Sequence, residues 1–277
     1  MRILEKLNIS PLLVYSKCLN SIRDIKKRHK FRSLKTTIGI EANNYDEKAE
    51  NSELYSITPI DNIDGTLATE DMKKLYDEQL VKNKKGKKIY NKILSLAPLD
   101  RCPYCGIGQV STLDHYLPKS KFPIFSVLPY NLVPSCKDCN TGKGTNFATE
   151  KEKQTLHPYY DNYTVEQWLY SEVLETSPVS VKFYVKVNPH WDDIQKGRAK
   201  AHFQDYKLAH RFSIEASNEL ANVIEKFLLY PMSKEEIQKE LEIQYSIHKN
   251  IYLNSWQTAL YQALSESDWY CGNVSLD

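Results

Sequence analysis

The sequence predicts an α+β fold: a mainly helical protein with a small metal-site module of strands and helix set between two helical regions. Three observations carry this. Apolar residues recur at three- and four-residue steps over much of the chain, the spacing of amphipathic helices. One segment, Val179–Val187 (VSVKFYVKV), alternates apolar and polar instead and is rich in β-branched residues, as a strand is. The stretch Arg101–Thr145 holds two Cys-x-x-Cys pairs, Cys102/Cys105 and Cys136/Cys139, with thirty residues between them.

Taken in order, Leu12, Leu13, Tyr15, Cys18, Leu19, Ile22 and Ile25 form one apolar stripe and predict an amphipathic helix. Asn43-Asn44 and Thr58-Pro59 read as turns, and Asp61–Thr66 as a loop. A long helix starts near Thr69 and turns Met72, Leu75, Tyr76, Leu80, Ile89, Tyr90, Ile93 and Leu94 inward. Gly86 interrupts it and Pro98 ends it. After the cysteine-bracketed stretch, Asp161–Glu175 contributes Trp168 and Leu169 to a core. The Val179–Val187 strand follows, then helix from Trp191 to about Leu229, broken by Pro231-Met232. Ser233 with Glu236 three positions on is a capping box. It opens a last long helix whose apolar positions include Ile237, Leu241, Ile247, Ile251, Trp256, Leu260 and Leu264. The expected regions are 1–97, helical; 98–160, the metal module; and 161–277, mainly helical with one or two strands.

A chain of 277 residues can bury an ample core, and 41% apolar with 26% charged residues is ordinary for a soluble globular protein. No window approaches about 18 consecutive apolar residues. The N-terminus mixes charge without a cleavage-site pattern, so the expectation is a cytoplasmic protein that spans no membrane. A net charge of +2 does not by itself announce a nucleic-acid binder. Two local basic clusters, Lys26/Lys27/Arg28/Lys30 and Lys82/Lys84/Lys85/Lys87/Lys88, are either solvated faces or phosphate contacts. The 19 tyrosines outnumber 8 Phe and 4 Trp, which suits wet helix interfaces or, less often, base stacking.

In a reducing compartment paired cysteines are metal ligands more often than disulfides. Two Cys-x-x-Cys pairs supply the four thiolates of a closed tetrahedral zinc site, with Gly106 and Asn140-Thr141-Gly142 as turn residues after each pair. A redox pair would want a thioredoxin-like context that is missing, and nothing else suggests an iron–sulfur cluster. A closed cage shields its metal, so the zinc is expected to be structural. Cys18 and Cys271 fall outside it and read as buried thiols.

Between and beyond the cysteines, Val110–His115 (VSTLDH) runs into Asp114-His115, Leu128–Pro134 carries Asn131, and a helix beginning around Cys136–Asp138 carries Asn140 and Lys143. This order resembles the HNH (ββα-metal) nucleases over about 45 residues, with Asn140 in place of the last His of the name. The resemblance implies a metal-dependent endonuclease that hydrolyses phosphodiester bonds. Asp114 and Asn140 would be the protein ligands of a divalent cation, Mg2+ or Mn2+, whose preference is for hard oxygen donors. His115 would be the general base and Asn131 the residue bracing its loop. Lys119, Lys121, Lys137 and Lys143 are candidate phosphate contacts. His157, in LHPYYD, is a candidate support or phosphate contact.

The phrases LDHYLPKSKFP, NLVPSCKDCN, LHPYYD and SWQTALYQALSES are also similar to HNH effectors of bacterial anti-phage defence, of the Septu and Septu-like retron kind. That resemblance implies a partner ATPase and a nucleic-acid target, DNA or RNA. The competing readings are a zinc-dependent nucleic-acid-binding module without cleavage, and a protein-interaction scaffold.

Overall fold

The computed structural model describes residues 1–273 and divides into two compact units, one of Arg2–Asp161 and one beginning at Asn162. The predicted mainly helical α+β character is present in both. The N-terminal helices and the cysteine-bracketed stretch lie in the same unit.

The first unit opens with α1 (Pro11–Leu19), α2 (Ile25–Ser33) and α3 (Lys35–Glu50). The single stripe expected over Leu12–Ile25 is therefore split. Asp24 accepts a hydrogen bond from the Lys27 amide and starts a new helix, which leaves Ile25 exposed. Asn43-Asn44 is not a turn: it lies inside α3, where Ile38, Ala42, Tyr45 and Ala49 form one buried face. That packing outweighs the weak helix preference of asparagine.

A two-residue hairpin, β1 (Asn62–Ile63) and β2 (Leu67–Ala68), turns at Asp64-Gly65, both with positive φ. Then α4 (Thr69–Lys74) runs directly into a π-helical segment, Leu75–Lys82. The interruption expected at Gly86 falls instead at Asn83, which caps α5 (Lys84–Leu94). Gly86 has a different task. A Cβ there would sit 1.9 Å from the Gln79 carbonyl oxygen, so only glycine lets α5 press against the π-helical turn. The hairpin β3 (Thr112–His115) and β4 (Leu132–Ser135) and helix α6 (Lys137–Lys143) follow.

The second unit pairs β5 (Leu169–Leu174) with β6 (Ser180–Val185), in register from Leu169↔Val185 to Leu174↔Ser180. Its helices are α7 (Asp193–Asp205), α8 (Leu208–Leu229), α9 (Lys234–Ile251), α10 (Trp256–Glu266) and α11 (Asp268–Asn273). The helix expected from Trp191 to Leu229 breaks at Lys207, which adopts the left-handed conformation. Ser233 and Glu236 form the capping box. The last long helix is likewise broken, where Ser255 caps α10, and this leaves Ile247 and Ile251 exposed on α9. The hairpin packs against α8 and α10, with Phe183 edge-on to Phe212 at 5.6 Å. Among the described residues no helix is long and apolar enough to cross a membrane.

Candidate functional site

Strands β3 and β4 pair antiparallel, Thr112↔Ser135 through His115↔Leu132, and α6 packs back on β3. Side chains alternate across a strand, so Thr112 and Asp114 share one face and Leu113 and His115 the other. The first face looks toward α6.

All four bracketed cysteines are buried, and their sulfurs lie within 4.8 Å of one another. Tetrahedral bonds of about 2.3 Å would set sulfurs about 3.8 Å apart; Cys105 and Cys136 are at 3.9 Å. The chain makes this local. Gly106, at φ +75°, turns its amide onto the Cys102 carbonyl, and the Gly108 amide donates to Cys105 Sγ. Cys136 caps α6, its sulfur accepting from the Cys139 amide. Burial drives the Cys102 thiol up, while the Cys102 side chain hydrogen-bonded to it draws Cys136 down. Four buried sulfurs at these separations fit one zinc ion and leave it no open position. Cys18 and Cys271 are buried elsewhere as free thiols.

Asp114 is 2% exposed. Its carboxylate accepts from the Lys143 ammonium at 2.9 Å and from the Tyr104 hydroxyl at 3.0 Å. Lys143 also donates to the His115 carbonyl. Asn140, half-buried on the same helix, donates from Nδ2 to Thr112 Oγ1 at 3.4 Å. Asp114 and Asn140 thus both line the β3–α6 seam. Their oxygen donors suit a hard divalent cation, but Lys143 already neutralises the carboxylate, and such an ion would have to displace it or share Asp114 with it.

His115 points away from that seam. Its Nε2 lies 2.9 Å from the Ser126 carbonyl oxygen. A carbonyl can only accept, so Nε2 carries the proton and Nδ1 the free lone pair. Burial, then the ammoniums of Lys119 and Lys143, push its pKa down to about 3, so the ring is neutral at neutral pH.

The 116–130 connection between the strands is held by Asn131, which sits in a short 3-10 turn just before β4 and is wholly buried. Its Oδ1 accepts from the Leu117 amide at 2.7 Å and the Tyr45 hydroxyl at 3.1 Å. Its Nδ2 donates to the carbonyls of Leu117 and Phe125. His157 continues this chain. Its Nδ1 accepts from the Tyr159 amide, which leaves Nε2 to donate to Tyr45 at 3.2 Å. At 1% exposure His157 is enclosed within this network. Lys119 reaches Asp77 at 2.7 Å and lies over the Tyr76 ring. Lys121 and Lys137 are exposed.

Sequence reasoning missed Tyr104, Tyr45, Tyr76 and Asp77 as site neighbours. Tyr45 and Tyr76 are helix-face residues indistinguishable by spacing from any core aromatic. Only the excess of tyrosine hinted at polar tips used inside the fold.

Over 276 aligned residues the chain is 32% identical to protein ea31 of Escherichia phage lambda, covering 91% of this chain and 93% of that protein. Over 67 residues it is 34% identical to the Septu protein PtuB of Bacillus thuringiensis, covering 22% of this chain and 25% of PtuB. No family model matches the chain, and no solved structure matches it.

Proposed function

The chain belongs to the family of protein ea31 of Escherichia phage lambda, and we propose, from its own site residues, that it is an HNH-type endonuclease hydrolysing phosphodiester bonds of nucleic acid. The observation that carries this reading is the placement of His115. Its ring is anchored through Nε2, which leaves the Nδ1 lone pair to accept a proton, and it stands next in sequence to a buried carboxylate, on a hairpin whose connection Asn131 ties down. In the reaction His115 accepts at Nδ1 the proton of the water that attacks phosphorus. Asp114 and Asn140 hold the divalent cation, Mg2+ or Mn2+, which when bound neutralises charge on the phosphate and on the leaving oxygen. Asn131 fixes the connection that positions the Ser126 carbonyl and so the ring. The zinc held by Cys102, Cys105, Cys136 and Cys139 keeps β4 and α6 in place and takes no part in the chemistry.

The partial similarity to PtuB supports a defence-related role, and a partner ATPase in a defence complex is part of this reading.

One observation favours a second reading, a zinc-stabilised nucleic-acid or protein-binding module without catalysis: the Lys143 ammonium already satisfies Asp114. Incubation of plasmid DNA and total RNA with purified protein and Mg2+ or Mn2+ separates the two. Cleavage that Asn140→Ala removes at unchanged zinc content supports the nuclease, and binding without cleavage supports the module.

A further inference from the structure

The π-helical segment Leu75–Lys82 is wound more widely than an α-helix, a form rare in proteins and frequent at functional sites. Its second residue, Tyr76, is buried, and its ring meets the His115 imidazole at 4.5 Å between centroids, inclined at 67°. The Lys119 ammonium lies 4.2 Å from the centre of the same ring, within cation–π reach, and pairs with the neighbouring Asp77 at 2.7 Å. Gly86 lets α5 close against the Gln79 carbonyl of the same segment. His115 is therefore fixed at two places, at Nε2 by the Ser126 carbonyl and across its ring by Tyr76. Nothing in the strand–strand–helix motif supplies the second contact. It comes from a helix about forty residues upstream.

We propose that Tyr76, presented by the π-helical turn and clamped by Lys119 and Asp77, is the positioning residue that sets the ring plane of His115 for proton transfer, so that the upstream helices form one wall of the active site. The inference rests on the nuclease reading. A ring free to swing about its single hydrogen bond would spend less time aligned, and misplacement of a reacting group by about 1 Å can cost about 10²-fold in rate. The contact uses the ring and not the hydroxyl, which separates the informative substitutions.

The test uses the full chain with zinc bound. Tyr76→Leu keeps apolar volume but removes the ring, and Tyr76→Phe keeps the ring. The expected result is a fall in kcat of about 10²-fold for Tyr76→Leu with KM little changed, and recovery to near wild type for Tyr76→Phe. The His115 ring protons, identified by their absence in His115→Gln, should move in the NMR spectrum of Tyr76→Leu as the ring current is lost, and stay in place in Tyr76→Phe. That readout holds even if Tyr76→Leu is less stable. Wild-type kcat in Tyr76→Leu, a loss confined to KM, equal loss in both variants, or unmoved His115 resonances would each overturn the inference while leaving the nuclease reading intact. Wild-type protein that cleaves no substrate would overturn both.

Discussion

Lys143 places its ammonium 2.9 Å from the Asp114 carboxylate inside the β3–α6 seam, with both side chains less than a tenth exposed. A pair so enclosed is costly to break from one side, because the survivor keeps its charge without a partner; losses of about 3–5 kcal/mol are typical. Lys143→Met should therefore destabilise the protein by about that amount. If Asp114 takes a divalent cation, Mg2+ or Mn2+ should restore much of the loss, giving a variant whose unfolding midpoint depends on metal more steeply than the wild type's, where the ion competes with Lys143. Denaturant unfolding with and without Mg2+ measures this. No restoration would mean Asp114 does not hold the ion.

The cysteine cage makes a separate claim. Structural zinc contributes folding free energy directly, so Cys102→Ser should lose zinc and cooperative unfolding together, and a strong chelator should do the same to wild type. Zinc content by atomic absorption beside circular dichroism reads both. A folded, soluble and zinc-free Cys102→Ser protein would remove the cage from the account.

Tyr45 joins Asn131 to His157 at the back of the site. Tyr45→Phe leaves the ring packed edge-on to Phe125 and withdraws only the hydroxyl, leaving buried polar groups short of a partner. The expected cost is about 1–3 kcal/mol. Asn131→Ala, which removes bonds to Leu117, Phe125 and Tyr45, should cost more and also disorder the connection, seen as faster amide exchange at Leu117. Equal stability of all three proteins would show that the network carries no load.

For His115 the pH dependence has a definite sign. Its pKa is pushed down to about 3 by burial, from an ordinary value of 6.5. The unfolded chain therefore binds this proton more readily than the folded one. The stability this residue contributes is complete above pH 6.5 and declines as pH falls from there toward 3. His115→Gln should flatten that part of the stability profile measured by urea unfolding. A profile as steep as wild type's would mean the ring is not held neutral.

How much of this was legible in the sequence depends on distance along the chain. The cysteine pairs, the Asp114-His115 strand end and the helix carrying Asn140 were readable because each is local: a turn residue, a β-branched run, a cap. The helix boundaries were less so. Asn43-Asn44 carries turn chemistry that the buried face of α3 overrides, and the apolar stripe through Ile247 and Ile251 continues past the break where Ser255 starts a new helix. Lys143, a candidate phosphate contact by sequence, turns inward to the Asp114 carboxylate, a pairing across 29 residues that no local rule announces. Tyr45 and Tyr76 reach the site from helices far upstream, and no spacing rule links them to residues 115 and 131.

The most direct measurement is single-turnover cleavage by zinc-loaded wild type and zinc-loaded His115→Ala on the same DNA and RNA, with Mg2+ or Mn2+ present. Strand scission by wild type is predicted, with a loss of about 10²-fold or more in the variant, while zinc content stays the same and the variant, though less stable for want of a buried ring, remains cooperatively folded at the assay temperature. Equal scission by both proteins would contradict the assignment of His115 as the base, and scission by neither would contradict the nuclease itself.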